Sequence, residues 1–107
     1  MLINAHCYAD DYLNKTLMIA ANTAIVLDWA QTRYIANNPQ YYEKNPFLGD
    51  HPTIKEVNRY FIGSLLLTNL SAHFLPDNKK SLYYGSVLVY EMGFVYNNHQ
   101  IGIQFEF

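Results

Sequence analysis

Charge is the scarcest feature of this 107-residue sequence. Only 15% of its residues are charged, against roughly 25% in ordinary soluble domains. The seven basic side chains are scattered, Lys79 and Lys80 being the one adjacent pair, and the net charge is −2. That pattern has no electrostatic footprint for nucleic acid. Cysteine occurs once, as Cys7, which excludes an internal disulfide. With no basic neighbour to lower its pKa, Cys7 reads as an incidental small residue and not as a nucleophile. The first residues lack a basic start, and Asp10 and Asp11 precede the first apolar run, so they do not read as a cleavable signal peptide. No internal repeat or low-complexity tract is present, no cofactor is implied, and the length holds one domain.

What the sequence does have is apolar and aromatic: half of its residues are hydrophobic, with ten tyrosines and six phenylalanines. Tyrosine is favoured where one end of a ring is dry and the other wet, as at a membrane interface. Three segments carry helical periodicity, at about residues 12–35, 54–75 and 81–96, followed by an extended tail over 97–107. Residues 16–27 are uncharged, and residues 60–76 form an uncharged run of 17. The 24 residues of the first segment would reach about 36 Å as a helix, enough to cross a bilayer core of about 30 Å. The pattern therefore predicts an all-α bundle of three transmembrane helices forming one domain. Its setting would be a bacterial or host inner membrane, with lipid and a membrane protein or further copies of the chain as partners. Basic residues number four on one side (Arg33, Lys44, Lys55, Arg59) and three on the other (Lys15, Lys79, Lys80), so orientation stays undetermined.

Spacing then assigns faces. Ala21, Ala24, Ile25, Asp28, Thr32 and Ile35 fall on one side of the first helix, which places an acid on the packed face among residues small enough for a neighbouring helix to approach. Arg33 lies beyond it, able to snorkel outward. Pro39 ends the helix, and residues 37–53 form a connection in which Asn45-Pro46 and Gly49-Asp50 are turn signals. Thr53 reads as an N-cap, with Glu56 completing a capping box. In the second helix Asn69 and His73 share a face. In the third, Tyr84, Val87, Leu88, Glu91, Phe94, Val95 and Asn98 share one.

Five ionisable groups are candidates for chemistry: Asp28, Glu43, His51, His73 and Glu91. Inside a membrane each would cost roughly 2.5–3.5 kcal/mol, which makes it a functional candidate by default. If Asp28 and Glu91 both lie in the bundle, repulsion predicts that one is protonated unless Arg33, Arg59 or a histidine pairs with it. The structural alternative is polar glue between helices: Asp28 bonding Gln31 or Thr32, Glu91 bonding Tyr84 or Asn69, and Glu43 capping amides near Asn45-Pro46. Three functions follow. The first is a non-enzymatic interaction protein working through helix–helix contacts. The second is a metal-dependent hydrolase drawing on Glu43, His51, His73 and one of Asp28 or Glu91, although their spacing matches no zinc motif. The third is an oligomeric channel or proton path lined by Asp28, Asn69 and Glu91.

Two short motifs carry a resemblance. Asp28-x-x-x-Thr32 on the first helix, followed by Glu43-x-Asn45-Pro46, resembles a class of small uncharacterised prokaryotic and phage membrane proteins that pair a D-x-x-x-T helix with an E-x-N-P turn. The likeness is concentrated in residues 27–61, with Phe47 standing where a smaller aliphatic residue is expected. It implies an integral inner-membrane protein and supplies no activity.

Overall fold

The apolar face around Ala21 and Ile25 belongs to a helix longer than its periodicity suggested. The computed structural model describes residues 2–43 and 45–107, with residues 2–10 described by backbone alone, and its first helix, α1, spans Leu2–Asn37. The readings of His6, Cys7 and Asp10 as side chains, and of Lys44, lie outside the described residues. Residues 2–11 contain no proline or glycine, so nothing in them stops a helix. Asp11 lies inside the helix and pairs with Lys15 at 3.3 Å, one turn on. The second helix, α2, spans Ile54–His73, and the third, α3, spans Asp77–Gln100. The three-helix, all-α architecture is as the pattern predicts.

Helix ends follow local chemistry. Before Pro39, α1 closes with Asn38 donating its amide N–H to the Ile35 carbonyl at 3.1 Å and its side chain to the Tyr34 carbonyl at 2.7 Å. Thr53 caps α2 in extended conformation, accepting the Glu56 N–H at 3.1 Å. The return half of this box runs from the Thr53 hydroxyl to Glu56 Oε1 at 3.1 Å. The third helix runs through Asn97-Asn98, where a stop was expected, because the Asn98 side chain is held by Gln31 of α1. Gly102, at φ +92°, then supplies the left-handed turn that only glycine adopts freely. The tail folds back along α1: Ile103 is buried, and the Glu106 N–H reaches the Ala30 carbonyl at 3.0 Å.

α1 is the hub. α3 packs along it, α2 packs on it less extensively, and α2 and α3 hardly meet. One core gathers Ile25, Val57, Phe61 and Leu48 where α1 meets α2 and the connection, with Trp29 stacked on Phe61 at 6.2 Å. A second gathers Ala21, Ala72 and Tyr84, where all three helices converge.

The transmembrane expectation is corrected. Among the described residues no helix is long and apolar enough to cross a membrane, so a multi-pass inner-membrane placement does not stand. Length was present, but apolar length was not. Asp28 ends the uncharged stretch of α1 after 12 residues, Ser64, Thr68, Asn69, Ser71 and His73 dilute α2, and Glu91 divides α3. Tyrosine and asparagine, abundant between these breaks, add aromatic or polar surface and little hydropathy.

Candidate functional site

The face that carries Ala21, Ala24 and Ile25 also carries Asp28, Thr32 and Ile35, and all six are buried. Burying an acid there puts it against α3, where the helical repeat presents Glu91. The two carboxyls interact directly, and each perturbs the other's hold on a proton. Burial pushes Asp28 up to about 9; the hydrogen bond to Glu91 and its charge push the same way, and the Thr32 hydroxyl opposes. Thr32 Oγ1 lies 2.8 Å from the Asp28 carbonyl oxygen and 3.3 Å from Oδ1. Glu91 is also raised by burial, but its bond with Asp28 lowers it. Burial thus favours the protonated form of both carboxyls, and of Asp28 the more strongly. Glu91 Oε2 is buried and receives no hydrogen bond from another described residue. Tyr90, beside the pair, is raised by burial first and then by Tyr60, Glu91 and Asp28. Among the described residues no basic side chain joins the group: Arg33 instead donates Nε to the Glu106 carbonyl at 3.2 Å and a terminal N–H to Asn58 Oδ1 at 2.8 Å.

The pair is one rung of a polar seam. One turn along, Gln31 is fully buried, donating to the Val95 carbonyl at 3.1 Å and accepting from Asn98 Nδ2 at 3.2 Å. Six residues before Asp28, about 9 Å along the helix, Asn22 and Asn69 exchange hydrogen bonds at 3.0 and 2.7 Å, and the Tyr84 hydroxyl donates to Asn69 Oδ1 at 2.9 Å. That rung joins all three helices. Between α1 and α2, Asn58 Oδ1 accepts from Trp29 Nε1 at 2.9 Å. In a dry interface each such group must find a partner or cost about 1–3 kcal/mol, so the seam fixes which residues of α1 and α3 face each other.

The connection between α1 and α2 is a separate structure. Glu43 and Asn45 are buried, and Glu43 Oε1 accepts the Asn45 N–H at 2.9 Å. Asn45 Oδ1 accepts the Phe47 N–H at 2.9 Å, and the Glu43 N–H reaches the Asp50 carbonyl at 2.9 Å. Glu43 is thus the amide cap expected of it. His51 packs on the Tyr42 ring and His73 on the Phe74 ring, and both are exposed. They lie at opposite ends of α2, about 30 Å apart along the helix. Among the described residues no three His, Cys, Asp or Glu side chains group so as to hold a metal, and the set proposed for a hydrolase does not converge. Asp28 is 6% exposed, buried where α1 meets α3 of the same chain. Asn69 takes part in the three-helix rung, and His73 does not accompany it.

Asn22 and Asn58 were missed, and Gln31, expected to bond Asp28, bonds the Val95 carbonyl and Asn98 instead. A glutamine or asparagine in an amphipathic helix ordinarily reads as solvent-facing. The available signal was position: Gln31 lies three residues after Asp28 and four before Ile35, inside the buried stripe. The chain matches no family model, no curated protein and no solved structure.

Proposed function

We propose that this is a non-enzymatic assembly protein that works by self-association through its helix faces. The observation that carries the reading is the amount of large apolar surface left outside. Leu66, Leu67, Leu70 and Phe74 on α2, and Leu82, Val89 and Tyr96 on α3, are each more than half exposed. The accessible surface is 7147 Å², where a compact 12.4 kDa monomer has about 6,100 Å². The excess of about 1,000 Å² reflects an elongated shape, 58 Å along its longest axis, which leaves helix faces uncovered. The radius of gyration, 16.1 Å, likewise exceeds the roughly 13 Å of a compact chain of this length. Apolar patches of this extent on a folded surface are sites of association. Hydrogen bonds within the seam hold Gln31, Asn98, Asn22 and Asn69 as packing groups between helices.

Sedimentation equilibrium of the full chain between about 1 and 100 μM, a range that spans weak and strong association, tests the reading. A mass that rises with concentration to a defined multiple of 12.4 kDa is expected. A monomer across the whole range rejects it.

A further inference from the structure

Self-association of this kind needs a surface that complements itself, and α3 has one. On its outward side Leu82, Val89 and Tyr96 are 70%, 74% and 66% exposed. They stand seven residues apart, two helical turns each, and so form one straight ridge. Gly85 and Gly93 flank the middle of that ridge, four residues either side of Val89. A Cβ built on either glycine meets nothing within 4 Å, so packing within the chain does not require them to be small. Glycine in a helix interior is unfavourable relative to alanine, and neither glycine sits at a turn. Shallow grooves lie beside Tyr90 at both levels, one bordered by Gly85, Ser86 and Val89 and the other by Gly93, Phe94 and Asn97. The ridge itself carries no formal charge from Ser81 to Tyr90 or from Met92 to Gln100.

The arrangement is symmetric about Val89. Leu82 and Tyr96 lie seven residues before and after it, and the two glycines four before and after. A two-fold axis through Val89 that pairs α3 with α3 of a second copy, antiparallel, sets Leu82 against the second copy's Tyr96 position and one glycine level against the other. Every contact is then made twice, as an isologous interface requires, with large residues meeting across the ridge while the glycine levels let the helices close. We infer that the outward face of α3 is a homodimer interface, antiparallel and centred on Val89. The inference rests on the self-association proposed above. The occupant is a second copy because the palindromic spacing of Leu82, Gly85, Val89, Gly93 and Tyr96 fits this same face reversed.

The test uses the full chain. Val89→Glu places two like charges at the axis and is expected to weaken the dimer at least about a hundredfold, as read by sedimentation equilibrium. Far-UV circular dichroism should not change, since Val89 is exposed. Leu66→Glu on α2 is the matched control and should leave the dimer intact. In a Cys7→Ser background, a mixture of Leu82→Cys and Tyr96→Cys chains treated with a short bismaleimide should couple as mixed dimers, with little coupling of either chain to itself. Like-with-like coupling overturns the antiparallel register. A dimer that survives Val89→Glu and dissolves with Leu66→Glu overturns the α3 surface while self-association stands. A wild-type chain that stays monomeric overturns both.

Discussion

The two sides of α3 have exchanged the roles usually given to inside and outside. Its inner side, against α1, holds Glu91 and Asn98 and receives the Gln31 side chain on the Val95 carbonyl. Its outer side presents Leu82, Val89 and Tyr96 to the surroundings. Burial by apolar area is non-directional, so a purely apolar α1–α3 interface would let the helices slide or rotate. Hydrogen bonds between buried groups have one satisfied register. The inner side therefore supplies uniqueness, and the outer side leaves apolar area exposed. The α2 side differs from both: it meets α1 through an aromatic cluster of Trp29, Tyr60 and Phe61 and contributes Val57 and Phe61 to the apolar core.

The comparison breaks most severely where that core is opened. Phe61 is 1% exposed, and Phe61→Ala should cost about 3–5 kcal/mol, a large share of the roughly 5–15 kcal/mol that holds a domain together. Urea denaturation should show a midpoint far below the wild type's, or no cooperative transition. A small shift would mean that α2 adds little to the fold.

Removing a rung of the seam should cost less. Asn69→Ala leaves Asn22 and the Tyr84 hydroxyl without their shared partner, and about 2 kcal/mol should be lost. His73→Ala, one turn on and exposed, should change stability by less than about 0.5 kcal/mol. Equal effects of the two in the same denaturation series would show that the rung does not hold the helices in register.

The stripe on α1 was legible because small apolar residues recurred at helical spacing, and all six residues assigned to it are buried. On α3, Tyr84, Val95 and Asn98 are buried from the assigned face. The protonated partner in an acid pair was legible too, since two carboxyls on facing stripes cannot both ionise cheaply. Their mutual bond was not: Glu91 was matched to Tyr84 or Asn69, and the vertical offset between the two rungs depends on how α3 enters from Pro76. The membrane reading failed for a related reason. Apolar faces directed outward look the same in sequence whether lipid or protein covers them, and only summed hydropathy separates the cases.

A pH series sharpens the account of the inner side. Burial pushes Asp28 up to about 9 in the folded chain from its ordinary 3.8. Between those limits the folded state holds a proton that the unfolded state has released, so stability falls as pH rises. The cost is absent below about pH 4, grows through neutrality and levels off above about pH 9. Glu91 is shifted in the same direction and adds to the slope. Asp28→Asn places an amide donor beside the Glu91 carboxylate at every pH. It should raise stability by roughly 2 kcal/mol near pH 8, little near pH 4, and flatten the profile. A wild-type profile that is already flat would mean that the two carboxyls are not held together.

The smallest effect separates the two sides of α3 most cleanly. Gly93 is exposed, and a Cβ there meets nothing within the chain, so Gly93→Ala should stabilise the helix by about 0.5–1 kcal/mol. That gain should appear when unfolding is followed at low concentration, where copies are apart. At high concentration the same methyl group stands where a second helix approaches, so the dimer should weaken while the monomer strengthens. Opposite signs from one methyl group would show that this glycine serves the outer face and not the fold. A gain of the same size at every concentration would show that nothing approaches Gly93.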